Sequence, residues 1–220
     1  MTIHRPGRPE DLPSGEELWA RWALLAAVEA NSEREQCPSV HRTGHWIDEE
    51  GLHWDDAGCT WWILSRRGEG RFVLYGEDES SGVKWHEPPI DILAGGPDWL
   101  PYEELHDRLE GYELGCVYWY ENGTWSRAPY PESLEDDGLD CGMSSLVDRG
   151  DLLRELALHY DDTAGGPGVD SILADAEAYR LDARLLLERL RTHPDGDPPE
   201  PPAVARALDR AGITAQEVSR

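Results

Sequence analysis

Phenylalanine and lysine are almost missing from this chain. Phe72 and Lys84 are the single examples of each among 220 residues. Nineteen arginines therefore carry nearly all the positive charge, and with abundant Ala, Gly, Pro and Asp this is the composition expected of a GC-rich bacterial genome. Cationic residues are few overall: 20 Lys plus Arg stand against 45 Asp plus Glu, a formal net charge of −25. Such a chain is repelled by phosphate backbones and anionic lipid, which argues against nucleic-acid and membrane partners. The four cysteines, Cys37, Cys59, Cys116 and Cys141, form no C-x-x-C pair. With no apolar core in the first residues to act as a secretory signal, they read as reduced thiols in a cytoplasmic protein. No run of 18 or more apolar residues exists to span a bilayer.

Several catalytic signatures are also missing. There is no Walker A loop, no dinucleotide G-x-G-x-x-G, no H-E-x-x-H and no G-x-S-x-G elbow. Neither a cofactor nor a catalytic residue is nominated. Zinc is weighed at Cys37, His41, His45, His53 and Cys59, whose spacing fits no familiar finger. Calcium or magnesium is weighed at Asp55-Asp56, Glu77-Asp78-Glu79 and Glu135-Asp136-Asp137 with Asp140, none of which has the EF-hand pattern. His53 beside Asp55 and Asp56 gives the alternative reading of a metal-assisted hydrolase, and His86-Glu87 a weaker one, since neighbours on a strand face opposite ways.

What the chain does have is aromatic: ten Trp and eight Tyr, enough with 39% hydrophobic residues to build a core. The clearest signal is Gly115–Ala128, GCVYWYENGTWSRA. Asn122-Gly123 between aromatic runs predicts a two-residue hairpin with positive φ at both positions. That register sets Glu121 against Thr124, Tyr120 against Trp125 and Tyr118 against Arg127. Cys116, Tyr118, Tyr120, Trp125 and Arg127 then share one face, while Val117, Trp119, Ser126 and Ala128 share the other.

Upstream, Ser14 caps a predicted helix running to about Ala30 with Leu18, Trp22, Leu25 and Val28 on its apolar stripe. Residues 45–48 and 52–54 predict one hairpin. Cys59–Ser65 and Arg71–Tyr75 predict another, apolar on both faces and hence central. Val83-Lys84-Trp85 reads as a short strand, and Pro101 opens a short helix. Asp148–His159 is helical. Asp170–Arg191 reads as one long helix with Ile172, Ala176, Tyr179, Ala183, Leu186 and Leu190 at heptad-like steps, a seam either for docking onto the body of the protein or for pairing with a second copy of the chain. A Pro-rich linker at 194–202, a helix over Ala203–Ala211 and a capping-box pattern at Thr214 and Glu217 complete it.

The fold class is therefore α+β: a mainly antiparallel, Trp-rich sheet flanked by helices, with a helical C-terminal appendage. The expected division is an α+β domain over 1–163 and the appendage over 164–220. Trp99-Leu100-Pro101-Tyr102, with the N-terminal helix, aromatic meander and acidic surface, resembles short segments of small bacterial immunity proteins. The long C-terminal helices depart from that pattern, and no residue is carried over from it.

The most suggestive surface is the loop Pro129–Gly142. Tyr118, Tyr120, Trp125 and Tyr130 are expected to border the carboxylates of Glu132, Glu135, Asp136, Asp137 and Asp140. Aromatics beside carboxylates suit a basic protein partner, with charge speeding encounter and aromatic side chains anchoring the complex. The expectation is a non-catalytic binding protein, immunity-like or regulatory.

Overall fold

Asn122 and Gly123 have φ values of 54° and 80° in the computed structural model. The turn they make pairs Tyr118 with Arg127, Trp119 with Ser126, Tyr120 with Trp125 and Glu121 with Thr124, the register their sequence demands. The structure describes residues 2–36, 42–161, 166–192 and 198–215.

The fold is α+β. In chain order the strands are β1 (Gly44–Ile47), β2 (Leu52–Asp55), β3 (Trp61–Arg66), β4 (Phe72–Glu77), β5 (Cys116–Glu121) and β6 (Thr124–Arg127). They form a six-stranded sheet in sequence order, and the β3–β4, β4–β5 and β5–β6 pairs are antiparallel. The doubly apolar β3 and β4 are the two middle strands, as expected of strands covered on both faces. The helices are α1 (Gly15–Val28), α2 (Ser32–Gln36), α3 (Tyr102–Glu110), α4 (Asp140–Val147), α5 (Arg149–His159), α6 (Val169–Glu177), α7 (Ala183–Leu187) and α8 (Pro201–Ala211).

The chain divides into two compact units: residues 1–15 with 54–148, and residues 16–53 with 149–220. The breaks thus fall after Gly15, His53 and Asp148; the expected boundary at 163/164 lies outside the described residues.

In the first unit, one sheet face packs Ile63, Val73, Tyr75, Val117 and Trp119 against Ile92, Leu93, Leu100, Leu105 and Leu114. The other face carries Trp62, Leu64, Phe72, Leu74, Tyr118 and Tyr120, all buried. Their polar tips are met by backbone: the Trp62 indole donates to Cys141 O at 2.7 Å and Trp125 to Pro13 O at 2.6 Å. Buried aromatics with a polar handle need such partners. The N-terminal strap is held by Asp11, which accepts from His4 N and Arg8 N. Burial raises the carboxyl's pKa, but these bonds and the His4 ring outweigh it and hold Asp11 below its ordinary range.

In the second unit α1 is buried nearly all round, from Leu18 through Val28. The Trp19 indole donates to Ala211 O at 2.9 Å and Trp22 to His53 O at 3.1 Å. Arg21 pairs with Glu17 and, at 2.9 Å, with Glu177. The C-terminal helices belong to this same unit.

Three expectations are corrected. Asp170–Arg191 is two short helices, because Tyr179 takes a φ of 55° and Leu181 pairs with Thr214 in a parallel bridge. A residue in the left-handed region ends an α-helix. Ile172, Ala176 and Leu186 of the supposed seam are buried inside the chain, so no continuous helix presents them to a second copy. Val83-Lys84-Trp85 makes turns instead of a strand, and Cys59 lies exposed in the turn before β3. Cys37, His41, Pro194, Glu217 and part of the predicted linker at 194–202 lie outside the described residues.

Candidate functional site

The loop that leaves β6 does not hold its acids as one exposed patch. Asp137 is buried at 1% exposure. Its carboxylate accepts from Tyr118 Oη at 2.7 Å and from Gly7 N at 2.9 Å. Asp140 accepts from Arg5 Nε at 2.8 Å, and Arg5 also faces Asp136 at 3.6 Å. Asp136 further accepts from Gly138 N at 2.8 Å. These three acids fasten the N-terminal strap to the loop. Glu132 and Glu135 remain exposed.

The aromatic residues expected beside them are mostly inside. Tyr118, Tyr120 and Trp125 are buried at 0%, 5% and 4% exposure, and Tyr120 packs against Trp125 with ring centroids 5.1 Å apart. Tyr130 is half-buried under the Arg127 guanidinium, 3.8 Å from its ring centroid. Burial, followed by the nearby Asp137 charge, pushes the Tyr118 hydroxyl well above its usual pKa. Tyr130 is raised too, first by burial. Both are held as neutral phenols.

The exposed aromatics are two residues the sequence pattern did not single out. Trp85 is 72% exposed and Tyr112 is 67% exposed, the two exposed large apolar side chains among the described residues. Lys84 links them: its Nζ donates to Tyr112 O at 2.9 Å, stands 6.0 Å from the Trp85 ring centroid and is ion-paired with Glu77. Tyr112 adopts a φ of 57° between the end of α3 and β5, a conformation that costs an L-residue about 1 kcal/mol.

Two hydrogen bonds set Trp85 beside the exposed glutamates. Gly82 N donates to Asp136 O at 3.0 Å. The next residue after Trp85, His86, has Nε2 2.8 Å from Ser133 Oγ, while its Nδ1 meets Pro88 O at 2.8 Å. The His86–Ser133 contact therefore ties two segments that each carry exposed residues, Trp85 and Glu87 on one and Glu132 and Glu135 on the other. The serine–histidine–carbonyl order resembles that of a nucleophile and its base. However, Leu134 N, which would follow the nucleophile in an oxyanion hole, is spent on Pro131 O at 3.0 Å. The pair acts as a clasp between two loops.

The groups weighed for metal chemistry are dispersed into local structure. His53 Nε2 meets Asp48 Oδ1 at 2.7 Å. Asp55 accepts from Ala57 N and Asp56 from Gly58 N, each at 2.7 Å, and both shape their own turn. Asp78 is buried, bonded to Thr60 Oγ1 and, at 2.8 Å, to Ser80 N. Cys141 has its thiol pushed up to about 11, first by burial. Among the described residues, the ligand atoms that do converge belong to Glu29, Glu155 and His159, within 4.8 Å of one another.

No protein-family model, curated protein or solved structure matches the chain.

Proposed function

We propose that this protein is a non-catalytic binding module for a basic partner protein, acting as an immunity or regulatory factor would. The observation that carries the reading is Trp85, 72% exposed, in a segment tied through His86 and Ser133 to the one that bears the exposed Glu132 and Glu135. An exposed indole is the side chain most enriched at binding hot spots, and a rim of like charge steers an oppositely charged partner. The remainder of the −25 net charge acts at longer range and is screened within about 10 Å at 0.1 M salt.

The docking residues in this reading are Trp85, Tyr112, Glu132 and Glu135. Asp136, Asp137 and Asp140 serve it indirectly by holding the loop. The test is capture of partner from the source organism's lysate by wild-type protein and by a Trp85→Ala/Glu132→Lys/Glu135→Lys variant. A basic protein retained in stoichiometric amount by the first and lost by the second supports the reading. Equal capture by both overturns it.

A further inference from the structure

Glu155 and His159 are four residues apart on α5, the spacing that stacks two side chains on one helix face. Glu29 lies one residue beyond α1, where its backbone N–H still donates to Leu25 O at 3.1 Å. The three side chains bring one carboxylate oxygen each from Glu29 and Glu155 and one imidazole nitrogen from His159 to within 4.8 Å of one another. All three belong to the same compact unit. His159 is only 4% exposed, and the Glu29 side chain only 12%.

The Glu29 carboxylate is also oriented from behind. His45 N donates to its Oε2 at 2.9 Å, and His45 Nδ1 lies 2.8 Å from its Oε1. Carboxylates that ligate metals are themselves held by outer hydrogen bonds, as Glu29 is by His45. From this geometry we infer that Glu29, Glu155 and His159 form a binding site for a divalent transition-metal ion, with His45 as the residue that positions Glu29. Two oxygens and one nitrogen suit zinc and its first-row neighbours. A tetrahedral zinc with bonds of about 2.1 Å needs ligand atoms about 3.4 Å apart, so on binding the site closes by no more than about 1.4 Å from the 4.8 Å bound. Three protein ligands leave a position for water. The inference is independent of the Trp85 surface, and it uses none of His53, Asp55 and Asp56.

The test uses the full chain, purified without chelator, loaded with zinc and dialysed exhaustively. About one equivalent should be retained and the thermal midpoint should rise. A Glu155→Gln/His159→Gln variant should lose that equivalent. Cysteines can also hold zinc, so cobalt substitution of the wild-type chain separates the two cases without relying on any variant. Oxygen and nitrogen ligation gives visible d–d bands with no thiolate charge-transfer band. Retention of no zinc, retention unchanged in a folded variant, or a thiolate band in the cobalt spectrum would each overturn the assignment.

Discussion

Tyr118 donates its hydroxyl hydrogen to Asp137 across 2.7 Å, and both residues are buried, at 0% and 1% exposure. The bond joins a sheet strand to the acidic loop, and Gly7 N completes the carboxylate's coordination at 2.9 Å. The loop therefore has an inner side that is structural and an outer side, with Glu132 and Glu135, that is exposed.

Tyr118→Phe strips a donor from a buried carboxylate and should destabilise the protein by about 1–3 kcal/mol. Asp137→Lys should prevent folding, whereas Glu135→Lys should shift stability by no more than about 0.5 kcal/mol. Urea denaturation of the three variants checks this. Equal stability of the Asp137 and Glu135 variants would contradict the division of the loop into two sides.

Two glycines with nearly the same positive φ should respond differently to alanine. At Gly123, φ 80°, an added Cβ meets nothing within 4 Å, so the cost is that of the backbone alone, about 1 kcal/mol. At Gly142, φ 81°, the Cβ would fall 2.2 Å from Trp54 Cζ3. There the ring must move or the kink in α4 must open, at a cost of several kcal/mol. Thermal melts of Gly123→Ala and Gly142→Ala should rank them in that order.

The hairpin was legible because its determinants are local: two residues that tolerate positive φ and a period of two on either side. The register and both faces of β5 and β6 follow from them. The same alternation cannot say whether a face is covered by other parts of the chain. Tyr118, Tyr120 and Trp125 look like a surface stripe until the N-terminal strap, with Gly7 and Pro13, is laid over them. Trp85 was obscure for the converse reason. Its stretch, SGVKWHEPP, has strand-like residues, and only the clasp of His86 on Ser133 fixes it as an exposed turn. The break in the predicted helix at 170–191 depends on Leu181 pairing with Thr214, a contact 33 residues away (214 − 181) that no heptad count reveals. Glu29, Glu155 and His159 were equally hidden, since only the i to i+4 pair leaves a trace in the sequence.

Acid titration should expose the bond between Asp48 and His53. Burial raises the Asp48 carboxyl, but the hydrogen bond and charge of His53, with the Glu50 and Gly51 N–H groups, lower it further, to about 2 from an ordinary value of 3.8. A depressed folded-state pKa gives stability that is complete above about pH 4 and is lost as pH falls through 2. Because the side chain is 34% exposed, the contribution after solvent screening is about 1–2 kcal/mol. Asp48→Asn should lower stability by that amount at pH 7, with the gap to wild type closing by pH 2. A gap independent of pH would contradict the assignment.

The central claim is that Trp85 and its neighbouring glutamates dock a basic protein. It is tested most directly by capturing partner from the source lysate at low and high salt, with wild type and the Trp85→Ala/Glu132→Lys/Glu135→Lys variant side by side. The account predicts one stoichiometric basic protein on wild type at low salt, weakened at high salt and missing from the variant although the variant melts normally. Retention by that folded variant, or an empty capture at both salts, would contradict it.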